Sequence, residues 1–288
     1  MATPVPERPD NSAAELPLGR DAPSRQHAGP PTATWLGIAL DTVEENLALD
    51  EALLELAHEG LSTTTRVRTW MATEPTVVLG SSGRRGEEID LQACARLGVR
   101  VIRRPSGGGT VLLGPGCLMW SVISPHPAGS PSIESLHAAR LEPLAAALSA
   151  HMRTLPAAAG GLAAGERVAR QGTSDLAILR TAAEHPRKVS GTALRVRRHG
   201  VLYHGTLLDS FDIGIVSRVL RHPPREPGYR GGRSHDAFLT NLHLGREPLE
   251  RLVRAAFRAD DATDDWPRDR VMRLVRDRYA AAAWTNRL

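Results

Sequence analysis

Of the 36 lysine and arginine residues in the chain, one is a lysine: Lys188, in the stretch HPRKVSGTALR. Arginine is a planar, permanently charged fork, whereas lysine is a compact ammonium on a slim stem with three rotatable donors. A chain so biased toward arginine keeps one lysine by chance or because a site needs the smaller cation, and the neighbours decide. Ser190, Gly191 and Thr192 follow closely, a small polar patch against which an ammonium can hold a negatively charged ligand. Upstream, RRPSGGGT carries Gly107, Gly108 and Gly109 directly after a strand-like run. Three residues without a Cβ let backbone N–H groups converge on one concavity, which suits phosphate or carboxylate oxygens. Downstream, YHGTLL sets His204 and Gly205 just before an apolar strand end. Each feature also has a bland reading: a tight turn, a solvated lysine, a packed histidine. The glycine loop is not a Walker A loop, because Lys188 is followed by Val189 and not by Ser or Thr. Nor is it a dinucleotide-binding fingerprint, because no GxGxxG opens a helix.

These residues need a scaffold, and the chain supplies periodic segments for one. TVEENLALDEALLELAHEG reads as a helix with a Thr42/Glu45 capping box, an apolar face of Val43, Leu47, Leu54 and Ala57, and a stop at Gly60. RVRTWMA and TVVLGSS are strand-like runs around a Glu74–Pro75 turn. DLQACARLG is a short helix closed by Gly98, VRVIRRP a strand that leads into the glycine loop, and CLMWSVIS another strand. Residues 133–155 read as a helix in which Pro143 predicts a break or a late start. AAAGGLAAG is a flexible connection, followed by three strands in SDLAILR, KVSGTALRVRR and GVLYHGTLL, with turns near Glu184–Arg187 and His199–Gly200. Residues 212–221 are helical, HPPREPGYRGGRSHD is a long loop, and helices follow at 248–258 and 267–284. Residues 1–33 are rich in Pro, Ala, Ser and charge, too polar to offset their ordering entropy, and are expected to be a disordered tail. The fold class is therefore α+β, mixed or antiparallel sheets flanked by helices.

Bulk properties narrow the classes. With 288 residues and 41% hydrophobic content the chain can build a sizeable core, and with 4% aromatics that core leans on aliphatic side chains. The net charge of +4 and pI near 9.6 come from arginines spread along the chain, not from a block, so a solvated basic surface is expected and nucleic-acid binding is not. The two cysteines, Cys94 and Cys117, make no disulfide framework and no CxxC motif, which fits a reducing, cytoplasmic setting. No run approaches the ~18 apolar residues of a membrane span, and no secretory signal opens the chain.

Taken together, RRPSGGGTV, KVSGTA and HGTLL, in that order and spacing, resemble the lipoate–protein ligase A family within the biotin/lipoate ligase and octanoyltransferase superfamily. SDLAI, REPGYRGGRSHDAFLTNL and RYAAAAWTNRL add to the likeness, which covers residues 34–288. The resemblance implies a catalytic domain of that fold over 34–288, with a helical part at 248–288 and without the accessory domain that many ligases carry. It implies that lipoate or octanoate is joined to a lysine of an acceptor lipoyl-domain or glycine-cleavage H-type protein through an acyl-adenylate made from ATP with Mg²⁺. Lys188 would be catalytic. Arg104, Ser106, Gly107, Gly108, Gly109, Thr110, Ser190, Gly191, His204, Gly205 and Thr206 would bind substrate, and Asp175 would contact the nucleotide or ligate the metal. The strands around Val77–Leu79 and Val111–Leu113 would supply an apolar slot for the acyl arm.

Two departures from the family pattern stand out. The Arg-Asn-Asp of many ligases is here GTSD, which keeps only the acid, Asp175. The chain also ends at the point where the accessory domain would begin, so a separate accessory protein is a conceivable second partner. A monomer is expected. Three rival readings follow: transfer from a preformed donor such as acyl-AMP or an acyl-carrier protein, a non-catalytic lipoyl- or nucleotide-binding protein, and a biotin ligase. The last is disfavoured because its GRGRxGR loop is replaced by RRPSGGG. Superfamily transferases that work through a thioester place a cysteine close to the lysine. Cys117, in GPGCLMWS, reads as a small buried hydrophobe, and Cys94 lies on a helix.

Overall fold

The computed structural model describes Met1 and residues 33–126, 132–180 and 184–288. The tail expected over residues 1–33 falls, from residue 2 to residue 32, outside the described residues; Ala33 already belongs to a strand. The first half of the chain gives β1 (Ala33–Leu36), α1 (Val43–His58), β2 (Thr65–Met71), β3 (Thr76–Leu79), α2 (Arg85–Glu88), α3 (Leu91–Leu97), β4 (Arg100–Arg103), β5 (Val111–Leu113), β6 (Cys117–Pro125) and α4 (Ile133–Met152). The second half gives β7 (Arg167–Gln171), β8 (Asp175–Leu179), β9 (Arg187–Val196), β10 (Gly200–Leu208), α5 (Ile213–Val219), α6 (His235–Phe238), α7 (Arg246–Ala256), β11 (Asp261–Thr263), α8 (Arg268–Leu274) and α9 (Ala282–Thr285).

Eight strands form one mixed sheet in the order β11-β1-β2-β6-β10-β9-β8-β7, and three form a smaller sheet in the order β4-β3-β5. The fold class is α+β, as the alternation of strand-like and helical segments implied. β6 and β10 sit at the centre, paired antiparallel from Cys117↔Leu208 to Pro125↔Gly200. Every residue of β10 is buried, because both faces of the sheet are covered. The period-2 alternation of β6 divides its side chains between two cores. Met119 and Ile123 join Leu47 and Leu54 of α1 on one face, while Leu118, Trp120 and Val122 join Leu141, Leu144 and Leu148 of α4 and Val253 of α7 on the other.

Local chemistry explains most element ends. The Thr42/Glu45 capping box is formed in full, and Asp90 and Ser132 cap α3 and α4 through their side chains. The break expected at Pro143 does not occur: α4 runs through it to Met152. Pro143 deprives the carbonyl of Ala139 of its helical donor, and Ala139 is exposed, so water can take the vacated bond. The long helix expected at 267–284 is instead α8, a π-helical turn at Val275–Tyr279, and α9. β1, β7 and β11 were not legible in the sequence; β11 is a three-residue strand inside the segment 248–288 read as helical. Among the described residues no helix is long and apolar enough to cross a membrane.

α1 also carries charge into the interior. Asp50, 1% exposed, receives Arg68 Nη1 at 2.7 Å, and Arg68 itself, 0% exposed, donates further to the Asn46 side chain (2.6 Å) and to the carbonyls of Ile38 and Asn46. Ser121 Oγ donates to the other oxygen of Asp50 at 2.7 Å. Burial alone would push the Asp50 carboxyl up, but Arg68, His204 and Ser121 outweigh it and hold the group below its ordinary value. Through Arg68 and Ser121 this carboxylate ties α1 to β2 and β6, neighbours in the large sheet.

Candidate active site

The glycine loop, residues 105–110, links β4 to β5 across the small sheet. Arg104 folds its guanidinium beneath the loop. Nε donates to Ser106 Oγ (3.0 Å), Nη1 to the Val78 carbonyl (3.1 Å), and Nη2 to the carbonyls of Gly107 (2.6 Å) and Gly109 (2.9 Å). A guanidinium committed in this way fixes the loop's peptides. Arg104 touches the cleft wall, but its donors are spent on the loop and on β3. Burial pulls it down to about 10, with Glu88 opposing, so it stays cationic at neutral pH. Outside the loop, Glu88 of α2 accepts from the Thr110 hydroxyl (2.7 Å) and N–H (3.2 Å), and the Ser81 N–H donates to the Ser106 carbonyl (2.8 Å). The segment beneath comes so close that a Cβ on Gly80 would lie 2.1 Å from the Gly108 carbonyl oxygen.

Lys188 enters from the opposite side on β9. The β8–β9 pairing sets Asp175 opposite Gly191 and Leu176 opposite Ser190, then skips Val189 to set Ala177 opposite Lys188. Such a bulge re-aims a side chain, and Lys188 Nζ reaches Asp175 Oδ1 at 2.8 Å. The other oxygen of Asp175 accepts from the Tyr229 hydroxyl at 2.9 Å. Burial first, and then the charge of Asp175, drive the Tyr229 phenol far up, so it stays a protonated donor. Gly191 forms the seat of the ammonium: a Cβ there would lie 2.7 Å from Nζ and 2.9 Å from Cε. Gly191→Ala should therefore leave the melting temperature nearly unchanged, since only the flexible end of Lys188 has to move, yet displace the ammonium from Asp175. A crystal structure of the variant with the 2.8 Å pair intact would contradict this.

The two halves face each other across a cleft of about 440 Å³. Of the residues singled out in the sequence, Lys188, Arg104, Gly108, Gly109, Thr110, Asp175, Ser190, Gly191, His204, Gly205 and Thr206 line it. Ser106 and Gly107 do not; Ser106 is fully buried behind the loop, so the expectation that it touches ligand gives way to one of support. Part of the cleft lining is apolar: Val78, Val111, Leu112 and Leu113, joined by Met119, Leu208, Phe211, Val216 and Leu220, which pack in one hydrophobic cluster. Another part is cationic. The loop 222–236, read in the sequence only as a Pro/Gly/Arg stretch, brings Arg230 to the cleft and Tyr229 to Asp175. Arg230 and Arg233 lie 4.9 and 5.2 Å from the Phe238 ring centre, and Lys188 Nζ 6.0 Å. Tyr229, Arg230, Phe238 and Glu88 are the site residues that sequence reasoning missed. For Tyr229, Arg230 and Phe238 the available signals were the density of arginine and glycine and the family likeness of REPGYRGGRSHDAFLTNL, neither of which singled out a residue.

Three buried polar atoms in residues that line the cleft have no hydrogen-bond partner: Ser190 Oγ, Arg230 Nη2 and His204 Nδ1. Buried polar groups are ordinarily paired, so a hydroxyl and a guanidinium N–H left open beside a cavity suit an anionic ligand. A metal finds less. Among the described residues no three His, Cys, Asp or Glu side chains come together, and both oxygens of Asp175, expected as a metal ligand, are taken by Lys188 and Tyr229. The residues present do not form a protein cage for Mg²⁺.

Both cysteines lie away from the cleft. Cys117, which opens β6, is fully buried, and desolvation pushes its thiol up to about 12; Cys94 on α3 is buried and raised by the same cause, with Asp90 adding to it. Neither should react with iodoacetamide in the folded protein, and mass spectrometry before and after denaturation checks this. Rapid native labelling of Cys117 would contradict the burial.

Known proteins resemble this chain in sequence and in fold. The family model for the lipoyl protein ligase A/B catalytic domain matches residues 42–256. The chain is 33% identical over 190 residues to a protein named Octanoyltransferase LipM from Carboxydothermus hydrogenoformans, covering 62% of this chain and 65% of that relative, a little under two thirds of its length. It is 28% identical over 279 residues to Octanoyltransferase LipM from Moorella thermoacetica, covering 89% of this chain and 99% of that one. Its fold matches a bi-partite lipoate protein ligase, studied with its E2 lipoyl domain, from Thermoplasma acidophilum (TM-score 0.70, 19% identity, 89% of this chain and 97% of that chain). The glycine loop, the Lys188 strand and the HGT strand all fall inside the matched residues, and the chain belongs to the lipoyl protein ligase A/B catalytic domain family.

Proposed function

We propose that this chain attaches lipoate or octanoate to a lysine of an acceptor lipoyl domain or H-type protein, by way of an acyl-adenylate made from ATP. The observation that carries this reading is the mixed lining of the cleft: an apolar cluster, unpartnered donors and the one lysine share its walls. In the first step a carboxylate oxygen of the acid attacks the α-phosphorus of ATP and pyrophosphate leaves. In the second, the acceptor lysine amine attacks the carbonyl of the mixed anhydride, AMP leaves with the bonding electron pair, and an amide forms. Both steps concentrate negative charge where the acyl carbonyl meets the α-phosphate. Lys188, held by Asp175, which Tyr229 orients in turn, supplies a point charge there, and the glycine loop supplies backbone dipoles that need little reorganisation. Ser190 Oγ and Arg230 Nη2 are the open donors toward the phosphate side, and Gly205 and Thr206 complete the wall behind the lysine. Mg²⁺ would travel with the triphosphate oxygens, as it commonly does; no step here runs through it. The domain proposed for this work is residues 34–288, with an acidic acceptor suited to the basic surface.

ATP–pyrophosphate exchange driven by lipoate or octanoate tests the reading directly. Absence of exchange with both acids, with candidate accessory proteins also supplied, would overturn it. Transfer from a preformed acyl donor is the second reading, favoured by the likeness to two proteins named Octanoyltransferase LipM. A thioester version needs an accessible thiol beside Lys188, and both thiols are buried and raised. Incubation with octanoyl-carrier protein should therefore give no acyl adduct on Cys117 by mass spectrometry. An adduct would move thioester transfer to first place.

A further inference from the structure

Behind the glycine loop, three side chains from three elements form a line: Asp50 on α1, His204 on β10 and Ser106 in the loop. His204 Nε2 lies 2.7 Å from Ser106 Oγ, and His204 Nδ1 lies 3.6 Å from Asp50 Oδ2. The types and order are those of a nucleophile, a base and an orienting acid, but the surroundings exclude that use. Ser106 is fully buried and does not line the cleft. Its oxygen already accepts from Arg104 Nε at 3.0 Å.

The proton positions follow from donor and acceptor counting. The Ser106 hydroxyl has one hydrogen and two lone pairs. Arg104 is a donor only, so it occupies a lone pair, and the hydroxyl hydrogen needs an acceptor elsewhere. His204 Nε2 is within reach. If Nε2 carried the hydrogen instead, the Ser106 hydrogen would be buried without a partner, and a bare Nδ1 lone pair would face the Asp50 carboxylate. With the hydrogen on Nδ1, Ser106 donates to Nε2, and Nδ1–H faces the Asp50 carboxylate with the favourable sign; at 3.6 Å it makes no hydrogen bond, but the carboxylate attracts an N–H where it would repel a bare lone pair. We infer that His204 carries its proton on Nδ1 and acts as a positioning residue, the middle of an Asp50–His204–Ser106 relay that ties the glycine loop to α1. This role rests on the acyl-transfer reading above only where activity is concerned; the relay itself is a statement about the fold. His204 lines the cleft, yet its second nitrogen is spent on Ser106, so it neither takes nor gives a proton in the reaction. Asp50 is in turn fixed by Arg68 and Ser121, so the loop inherits its register from the most buried charge pair in α1.

The full chain labelled with ¹⁵N-histidine tests this without any substrate. Two-bond ¹H–¹⁵N correlations distinguish the two neutral tautomers and the doubly protonated ring, and His204→Gln assigns the signal. The expected result is the Nδ1–H tautomer at neutral pH; an Nε2–H or doubly protonated His204 overturns the inference. Amide exchange over residues 106–110 gives a second readout. A glutamine carbonyl can accept from Ser106, so His204→Gln should leave exchange near the wild-type rate, while His204→Phe should speed it. In acyl transfer, His204→Gln should keep most of the activity and His204→Phe should lose about 10²-fold, as a displaced cradle would. Equal loss in both variants with unchanged loop exchange would mean that His204 acts through its own proton, and the inference fails. If the wild-type chain shows no acyl chemistry at all, the function proposed above fails, while the tautomer and the exchange rates still decide the relay.

Discussion

Replacing Lys188 by arginine should leave the melting temperature where it is and lower acyl transfer by about 10²–10³-fold, the usual cost of removing one transition-state stabiliser. The fold has little to lose. Lys188 is 24% exposed in its side chain, and its strand is anchored by backbone bonds, including Thr240 N–H to the Lys188 carbonyl at 2.9 Å. The chemistry has much to lose. The ammonium sits where even a methyl group on Gly191 would come within 2.7 Å of it. A guanidinium is wider than an ammonium and demands two in-plane partners, so it cannot occupy that seat and point a single charge at two oxygens of different groups. Single-turnover transfer from supplied acyl-AMP, measured beside ATP–pyrophosphate exchange, would show whether one or both steps are lost. Retention of most activity in both assays would remove Lys188 from the centre of the mechanism.

The second large effect concerns stability. Arg68→Met should cost about 3–5 kcal/mol, because it strands the buried Asp50 carboxylate. At roughly 2–4 °C per kcal/mol for a domain of this size, the melting temperature should fall on the order of 10 °C. Asp50→Asn added to Arg68→Met should recover part of the loss, since the stranded charge is then gone, and the coupling would appear in a double-mutant cycle. The pH dependence has a definite sign. In the wild type the Asp50 carboxyl is held below its ordinary value, so its stabilising contribution is complete above the unfolded value near 3.9 and fades as pH falls through the lower folded one. Without Arg68, desolvation dominates and the folded carboxyl titrates high. The variant's deficit should then narrow as pH is lowered from 8 toward 5. A deficit constant over that range would mean that Asp50 is not the source of the loss.

Much of this architecture could be read from the chain because its signals are local. The Thr42/Glu45 capping box, the helix stop at Gly98 and the apolar strand run of CLMWSVIS each need only a few neighbours, and each appears in the structure. The glycine loop, Lys188 and the HGT strand were legible as a set and do meet across one cleft. What the chain did not disclose is pairing at a distance. β1, β7 and β11 are short and gain their strand character from partners far away in sequence. Tyr229 and Arg230 sit in a loop whose composition predicts only irregularity, and nothing local says that it folds back over Asp175. Arg104 shows the same limit from the other side: its type suggested ligand binding, while its contacts are with the carbonyls of its own loop.

The outer edge of the large sheet carries a consequence for synthesis. β1 lies between β2 and β11, parallel to both, with Thr34, Trp35 and Leu36 set against Asp261, Ala262 and Thr263. As the chain leaves the ribosome, β1 is available more than two hundred residues before β11. Until residues 261–263 arrive, one side of β1 offers unpaired N–H and C=O groups, a template for pairing with other chains. Closing that edge also means drawing together two segments separated by nearly the whole domain, and such contacts return nothing until the loop between them is closed. The nascent protein is thus adhesive along β1 throughout the synthesis of the segment between the two strands, and the three residues of β11 decide when that exposure ends.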